Sequence, residues 1–199
     1  FSEEELLVVN RKSLKQKAAI TVGHGAADVI TNSDFSKAFV ANQFSNDVSI
    51  VDLNAKKESK RIPVLRQPSQ LQISKNGKYL FVATFITAGR ADVDTVTSEI
   101  SIIDLEKEKL IKNIPLSNGS NALRGMALSA DGKYVFVSHN LGRFQVPTTQ
   151  LEQGWMNTSA LSIIDANSLE FVATVLLDEP EKGEAGSWGI DCNPEHILV

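Results

Sequence analysis

The sequence contains one cysteine, Cys192, in 199 residues, so neither an internal disulfide nor a cysteine cluster for zinc, iron–sulfur or covalent haem can form within the chain. It also lacks any apolar run near the roughly 20 residues that a membrane-spanning helix needs. The net charge is −4, and no basic excess favours nucleic acid, whose phosphates require clustered lysine and arginine. We therefore expect neither a membrane span nor a nucleic-acid partner.

The first five residues contain neither an initiator methionine nor the basic and apolar regions of a signal peptide. We expect that the natural N-terminus has been removed, since loss of a signal peptide would leave this appearance. No low-complexity linker divides the chain, and 42% of its residues are hydrophobic. These features predict one domain with one sizeable core over residues 1–199.

A short apolar motif that ends in aspartate recurs without gaps at residues 47–52, 99–104 and 160–165, with a weaker copy at 5–10. Each copy is followed, after a polar stretch, by a second β-rich segment, which predicts two strands joined by a turn. The closing residues of successive copies are separated by 42, 52 and 61 residues. The shortest separation matches a four-stranded propeller blade of about 40–45 residues.

A second recurring unit surrounds a hairpin turn. Two copies have glycine in the turn, Gly77 and Gly132, because glycine accepts the positive φ that tight turns demand. A third copy is aligned with Ser36 in the glycine place. The copies are residues 71–82, 126–137, 30–40 and 190–199.

The two units together predict an all-β propeller of four-stranded antiparallel blades, with about four blades' worth of strands. A two-sheet sandwich would not require the same four-strand unit to recur. The ends either complete one blade of a small ring or belong to an arc of a larger propeller, and we favour the arc. The approximate repeat units are 1–22, 23–65, 66–116, 117–177 and 178–199.

The succession Ser-Ala-Asp-Gly-Lys at 129–133, Tyr-Val-Phe-Val at 134–137 and Leu-Ser-Ile-Ile-Asp at 161–165 resembles the YVTN-family, WD-like β-propeller repeat. Residues 138–165 and 186–189 resemble the propeller segment of bacterial exported proteins that also carry cytochrome c or di-haem peroxidase-like modules. This resemblance implies a location in the periplasm or at the cell surface. The Cys-x-x-Cys-His motif of those modules is absent, so we expect no cofactor in this chain and any haem in a module outside it.

In a propeller, the connections from second to third strand and the connections between blades open on the same face. From the second-strand phenylalanine to the closing aspartate, the spacing is 13, 23 and 29 residues in three successive units, so two units carry insertions on this face. Long loops on a rigid scaffold commonly bind ligands. The insertions and connections supply the candidate partner-binding residues Arg90, Arg124, His139, Arg143, Trp155 and Trp188.

One position in the first strands varies while its neighbours repeat. When these strands are aligned on a recurring serine or asparagine, the residue five positions earlier differs in every copy, which predicts a ring at the mouth of the channel. The ring residues are Asp28, Ser69, Arg124 and Trp188.

Several candidates also have a structural interpretation. Trp155 suits an apolar anchor for a long loop, and Trp188 suits packing between blades. His139 ends a strand where the other copies have Asn42 and Thr84, which favours a hydrogen-bonding cap. The recurring aspartates are expected to bind the N–H groups of the turns that follow them.

The chain offers no Ser-His-Asp arrangement, P-loop or Cys-His pair, so no catalytic residue is predicted. His24 lacks a second ligand at suitable spacing, and Asp92 with Asp94 lacks the rest of a calcium loop, so no metal residue is predicted either. We favour a non-catalytic binding scaffold for a protein or redox partner. The alternatives are an enzyme with a metal or small-molecule site at the channel mouth, and a surface-layer or adhesive repeat protein. The strand edges of an open arc would also favour pairing with another copy.

Overall fold

A computed structural model describes residues 4–142, 157–178, 189–193 and 196–199 of the chain. In these ranges every regular element is a β-strand. The strands are β1 (Glu5–Val9), β2 (Gln16–Thr21), β3 (Ala26–Thr31), β4 (Lys37–Asn42), β5 (Asp47–Asp52), β6 (Lys57–Pro63), β7 (Pro68–Ile73), β8 (Tyr79–Thr84), β9 (Glu99–Asp104), β10 (Lys109–Pro115), β11 (Ser120–Leu128), β12 (Tyr134–Gly142), β13 (Asn157–Asp165), β14 (Glu170–Leu176), β15 (Asp191–Cys192) and β16 (Ile197–Leu198).

The strands form antiparallel sheets in sequence order. β3–β6, β7–β10 and β11–β14 are four-stranded sheets, which we call blades 1, 2 and 3, whereas β1 pairs with β2 and β15 with β16. Among the first strands of the blades, β7 contacts both β3 and β11, so these strands lie innermost. This architecture confirms the predicted all-β propeller of four-stranded antiparallel blades.

Apolar layers lie between successive sheets. Phe81 and Ile102 of blade 2 lie in the layer against blade 3, and both are fully buried. Phe39 and Ile50 lie in the layer between blades 1 and 2, and Ile20 of β2 packs against blade 1. Since both faces of the middle strands are covered, these strands are continuous apolar runs rather than alternating ones.

The residue that closes each third strand caps the turn that follows it. Oδ1 of Asp52 accepts hydrogen bonds from the N–H groups of Asn54 and Ala55, at 2.9 and 2.8 Å. Oδ1 of Asp104, Asp165 and Asn10 each accepts two turn N–H groups in the same way. Recurrence of this residue is therefore explained by the turn.

We expect the Asp165→Ala variant to lower the thermal midpoint by about 2–4 °C at neutral pH, because two turn N–H groups lose their acceptor. The thermal midpoint of Asp165→Asn should fall less, because an asparagine, Asn10, caps the β1–β2 turn in the same way. The N–H groups of Ser168 and Asn167 hold the pKa of Asp165 below its ordinary value. The carboxylate's contribution is therefore complete above about pH 4 and is lost as the pH falls through the lowered folded pKa.

Thermal melts of the wild type and both variants at neutral and acid pH check this expectation. The difference in thermal midpoint between the wild type and Asp165→Ala should become smaller in acid. The thermal midpoint of Asp165→Asn should depend less on acid pH than that of the wild type. Equal losses for alanine and asparagine at neutral pH would contradict the capping role.

The hairpin turn of blade 1 differs by one residue from its predicted alignment. Phe35 has φ 55°, in the left-handed region that Gly77 and Gly132 occupy in blades 2 and 3. Phe35 therefore stands in the glycine place, and the assignment of Ser36 was wrong. The reason is that Asn32 Oδ1 accepts the N–H of Lys37 and closes the turn, a role that serine has in the other blades.

Candidate functional site

The two ends of the sheets carry different kinds of connection. The tight turns within β1–β2, β3–β4, β5–β6 and their counterparts lie at one end, which we call the hairpin face. The connections β4–β5 and β8–β9 and those between blades lie at the other end, which we call the loop face. Of the predicted partner-binding residues, Arg90 and Arg124 lie at the loop face.

Residues 85–98, which connect β8 to β9, are fixed to residues 116–119, which connect blades 2 and 3. The N–H of Gly119 donates to the carbonyl of Val96 at 2.9 Å, and the N–H of Val96 donates to Oδ1 of Asn118 at 2.9 Å. Oγ1 of Thr97 donates to the carbonyl of Ser117 at 3.0 Å. The smaller predicted insertion is thus an ordered part of the loop face.

A cation and an aromatic ring meet where this loop joins the inner strand of blade 3. The guanidinium carbon of Arg124 lies 5.7 Å from the centre of the Phe85 ring. The N–H of Ala122 donates to the carbonyl of Phe85 at 2.8 Å, which holds the loop against β11. A contact of this kind is worth about 0.5–2 kcal/mol. Both side chains are half-buried, so the pair is pre-positioned and still partly accessible.

A second ring pair lies on the loop face beside blade 1, and sequence reasoning did not identify it. The rings of His24 and Phe44 have centroids 5.5 Å apart, and Phe44 is 60% exposed. A Cβ at Gly25 would lie 2.4 Å from the Phe44 ring, so glycine is needed beneath it. The sequence feature that could have identified this pair is a phenylalanine just beyond the second strand in two successive blades, Phe44 and Phe85.

Arg90 lies on the exposed part of the loop formed by residues 85–98. Its side chain is 78% exposed and forms an ion pair with Asp92, in which Nε donates to Oδ1 at 2.7 Å. This hydrogen-bonded pair lowers the pKa of Asp92. Arg66, in the connection between blades 1 and 2, is also exposed. The loop face therefore presents arginines and aromatic rings together.

The structure places His139 inside blade 3, with no exposed surface. Nδ1 lies 3.0 Å from the carbonyl oxygen of Asn140, and Nε2 lies 2.8 Å from Oγ of Ser162. Ser162 is in turn 2.8 Å from Oγ1 of Thr174, which is 2.9 Å from Oγ of Ser117. His139 thus begins a hydrogen-bonded row and offers no area for direct contact with a partner.

The predicted ring of channel-mouth residues links blades to one another. Oδ2 of Asp28 accepts the N–H of Leu71 in the next blade at 2.8 Å. Oγ of Ser69 donates to the carbonyl of Leu123 in blade 3 at 2.8 Å.

Strand pairing also shifts the first member of this ring. Asp28 and Gln70 both pair with the alanine before the last residue of the second strand. Ala27, rather than Asp28, is therefore level with Ser69, and the predicted alignment was wrong by one residue in blade 1.

Three predicted residues, Arg143, Trp155 and Trp188, lie outside the described residues. The strands around the larger insertion are described and lengthen the blade. β12 and β13 remain paired up to Gly142 and Asn157, several residues beyond the corresponding strands of blades 1 and 2. Part of the larger insertion is therefore paired strand.

Shallow clefts lie at the sheet junctions on the hairpin face. Their volumes are about 500 Å³ between blades 1 and 2, about 410 Å³ between blades 2 and 3, and about 300 Å³ between blade 3 and β15–β16. A cleft that recurs at successive junctions is a consequence of blade packing, so none of the three marks a unique site.

Within the described ranges, no three residues among histidine, cysteine, aspartate and glutamate come together as a metal site would require. In the same ranges, no helix has the length and hydropathy needed to cross a bilayer.

No protein-family model matches the chain. The chain is 27% identical over 128 residues to hydrazine synthase subunit beta of Kuenenia stuttgartiensis, covering 64% of this chain and 31% of that protein. It is 25% identical over 171 residues to antigen Lp49 of Leptospira interrogans, covering 66% of this chain and 37% of that protein. The chain therefore spans about a third of the length of these curated relatives.

Two solved structures share the fold. Hydrazine synthase of Kuenenia stuttgartiensis superposes with a TM-score of 0.58 at 22% identity, over 96% of this chain and 65% of that chain. Dihydro-heme d1 dehydrogenase NirN in complex with DHE superposes with a TM-score of 0.64 at 20% identity, over 88% of this chain and 36% of that chain. At this identity the likeness supports the fold alone.

Proposed function

We propose that the chain is a non-catalytic, YVTN-type propeller scaffold of an exported bacterial protein. Residues 1–199 form one domain, and this domain is an arc of a larger propeller. Its loop face holds a protein partner or a haem-bearing redox domain. The contact residues are Phe85, Arg124 and Arg90, together with the predicted Arg143, Trp155 and Trp188. The observation that carries the proposal is the Arg124–Phe85 pair, placed on a loop that is hydrogen-bonded to the blade junction.

The distribution of basic residues favours the loop face over the hairpin face. Arg66, Arg90 and Arg124 lie on the loop face, and arginine and aromatic residues are enriched in protein interfaces. The hairpin-face turns carry Arg11 but mainly lysine, a residue in which interfaces are depleted. These lysines include Lys12, Lys56, Lys75, Lys78, Lys107 and Lys133.

The names of the similar proteins support an assembly of this kind. One relative is a subunit of hydrazine synthase, and one structural neighbour is a dihydro-heme d1 dehydrogenase. A propeller that acts beside another subunit or a haem group fits both names. The exported location rests on the resemblance at residues 138–165 and 186–189 and is part of the proposal.

The proposal is tested by replacing Phe85 with a photo-cross-linking phenylalanine derivative and irradiating living cells of the source bacterium. We expect a cross-linked protein band, and a stain for covalently bound haem separates a redox partner from another protein. Arg124→Ala in the same protein should reduce the band about tenfold or more, because a central arginine commonly contributes 2 kcal/mol or more to an interface.

The matched control carries the same derivative at Phe35, an exposed phenylalanine on the hairpin face. It should give no such band. A band of equal yield at both positions, or one that Arg124→Ala leaves unchanged, would place the partner elsewhere.

A further inference from the structure

The hydrogen-bonded row that starts at His139 has a defined direction. A carbonyl oxygen only accepts, so Nδ1 of His139 donates to Asn140, and Nε2 of the neutral ring accepts the hydroxyl proton of Ser162. Ser162 then accepts from Thr174, and Thr174 accepts from Ser117. Each hydroxyl in the row therefore has a single arrangement while His139 is neutral.

Protonation of His139 would reverse this row. Both ring nitrogens of an imidazolium donate, so Ser162 would have to turn its proton towards Thr174, and Thr174 its proton towards Ser117. The hydroxyl proton of Ser117 would then need a new acceptor. Burial lowers the pKa of His139, and the Asn140 carbonyl opposes this only in part. No charged side chain among the described residues, from β11, β13 or β14, contributes to that shift.

The far end of the row meets the proposed partner surface. Ser117 belongs to the connection between blades 2 and 3, and its carbonyl accepts the hydroxyl of Thr97 at 3.0 Å. Two residues further on, the N–H of Gly119 binds the carbonyl of Val96 at 2.9 Å. The same connection thus ends the row and fixes the loop of residues 85–98.

We propose that His139 is a positioning residue, which acts through Ser162, Thr174 and Ser117 to hold the loop of residues 85–98, and releases that loop in mild acid. This inference deepens the proposed function, because the loop carries Phe85 and Arg90. The other blades have Asn42 and Thr84 at the position of His139, and neither of those residues titrates. Of blades 1, 2 and 3, only blade 3 therefore has a titratable imidazole at the start of this row.

The test is hydrogen–deuterium exchange of the isolated chain, which needs no partner. Protection of the amides of Val96, Ser98 and Gly119, corrected for intrinsic exchange rates, should fall about tenfold between about pH 7.5 and about pH 5.5, across the ordinary range of histidine titration. In His139→Asn, which places the residue of blade 1 in blade 3, protection should be the same at both pH values.

A second variant, Thr174→Val, interrupts the row beyond His139. It should loosen the same amides at neutral pH and remove their dependence on pH. The amides of β4 and β5 in blade 1 are the internal control and should not respond. The inference would be overturned if amide protection fell equally with pH in His139→Asn, or did not fall in the wild type. Failure of the cross-linking experiment alone would overturn only the proposed partner surface.

Discussion

Phe81→Ala is expected to destabilise the chain by about 3–5 kcal/mol, because it leaves a cavity in the layer between blades 2 and 3. Phe81 is fully buried there and packs among side chains that include Ile102 and Ile164. Domains have a total stability of about 5–15 kcal/mol, so the loss is a large fraction of it. Urea unfolding followed by circular dichroism, with the slope compared between variants, gives the measurement.

Phe35→Ala is the matched control for this substitution. The same side chain is removed, but Phe35 is 70% exposed at a hairpin turn, so we expect a change within about 1 kcal/mol. Similar losses for the two variants would mean that the layers between blades do not hold the propeller together.

Much of the fold could be predicted from the sequence because its determinants are local and repeated. Asp52, Asp104 and Asp165 each cap their own turn through contacts within three residues, so the same short motif recurs wherever the turn does. The alignment of blade 1 was wrong because Asn32 closes a turn that serine closes elsewhere. Two side chains can give the same hydrogen bond, and a pattern of residue letters does not show that equivalence.

The candidate site was less predictable because it depends on which distant residues meet. Insertion length identified the loop of residues 85–98, but the pairing of Phe85 with Arg124 depends on how β11 packs beside β7 and β8. The burial of His139 likewise arises from contacts across three strands and a connection. Sequence spacing places such residues on the correct face without showing whether they point outwards or into the blade.

Gly119→Ala should destabilise the chain by about 2–4 kcal/mol, through backbone strain and a steric clash. Gly119 has φ 92°, and an added Cβ would lie 2.2 Å from the carbonyl oxygen of Gly142. That carbonyl cannot move freely, because the N–H of Gly142 donates to the carbonyl of Gly119 at 2.8 Å. In addition, strands β11 and β12 pair at Ser120 and Leu141.

The effect of Gly119→Ala should also reach the proposed partner surface. The N–H of Gly119 holds Val96, so exchange protection in residues 94–98 should fall at neutral and acid pH alike, in contrast to the pH-dependent response expected from His139. Gly89→Ala is the control, because an added Cβ there meets no atom within 4 Å, and its change should stay within about 0.5 kcal/mol. A Gly119→Ala protein with wild-type stability and protection would show that the connection between blades 2 and 3 tolerates displacement, and that the loop is held by its other contacts.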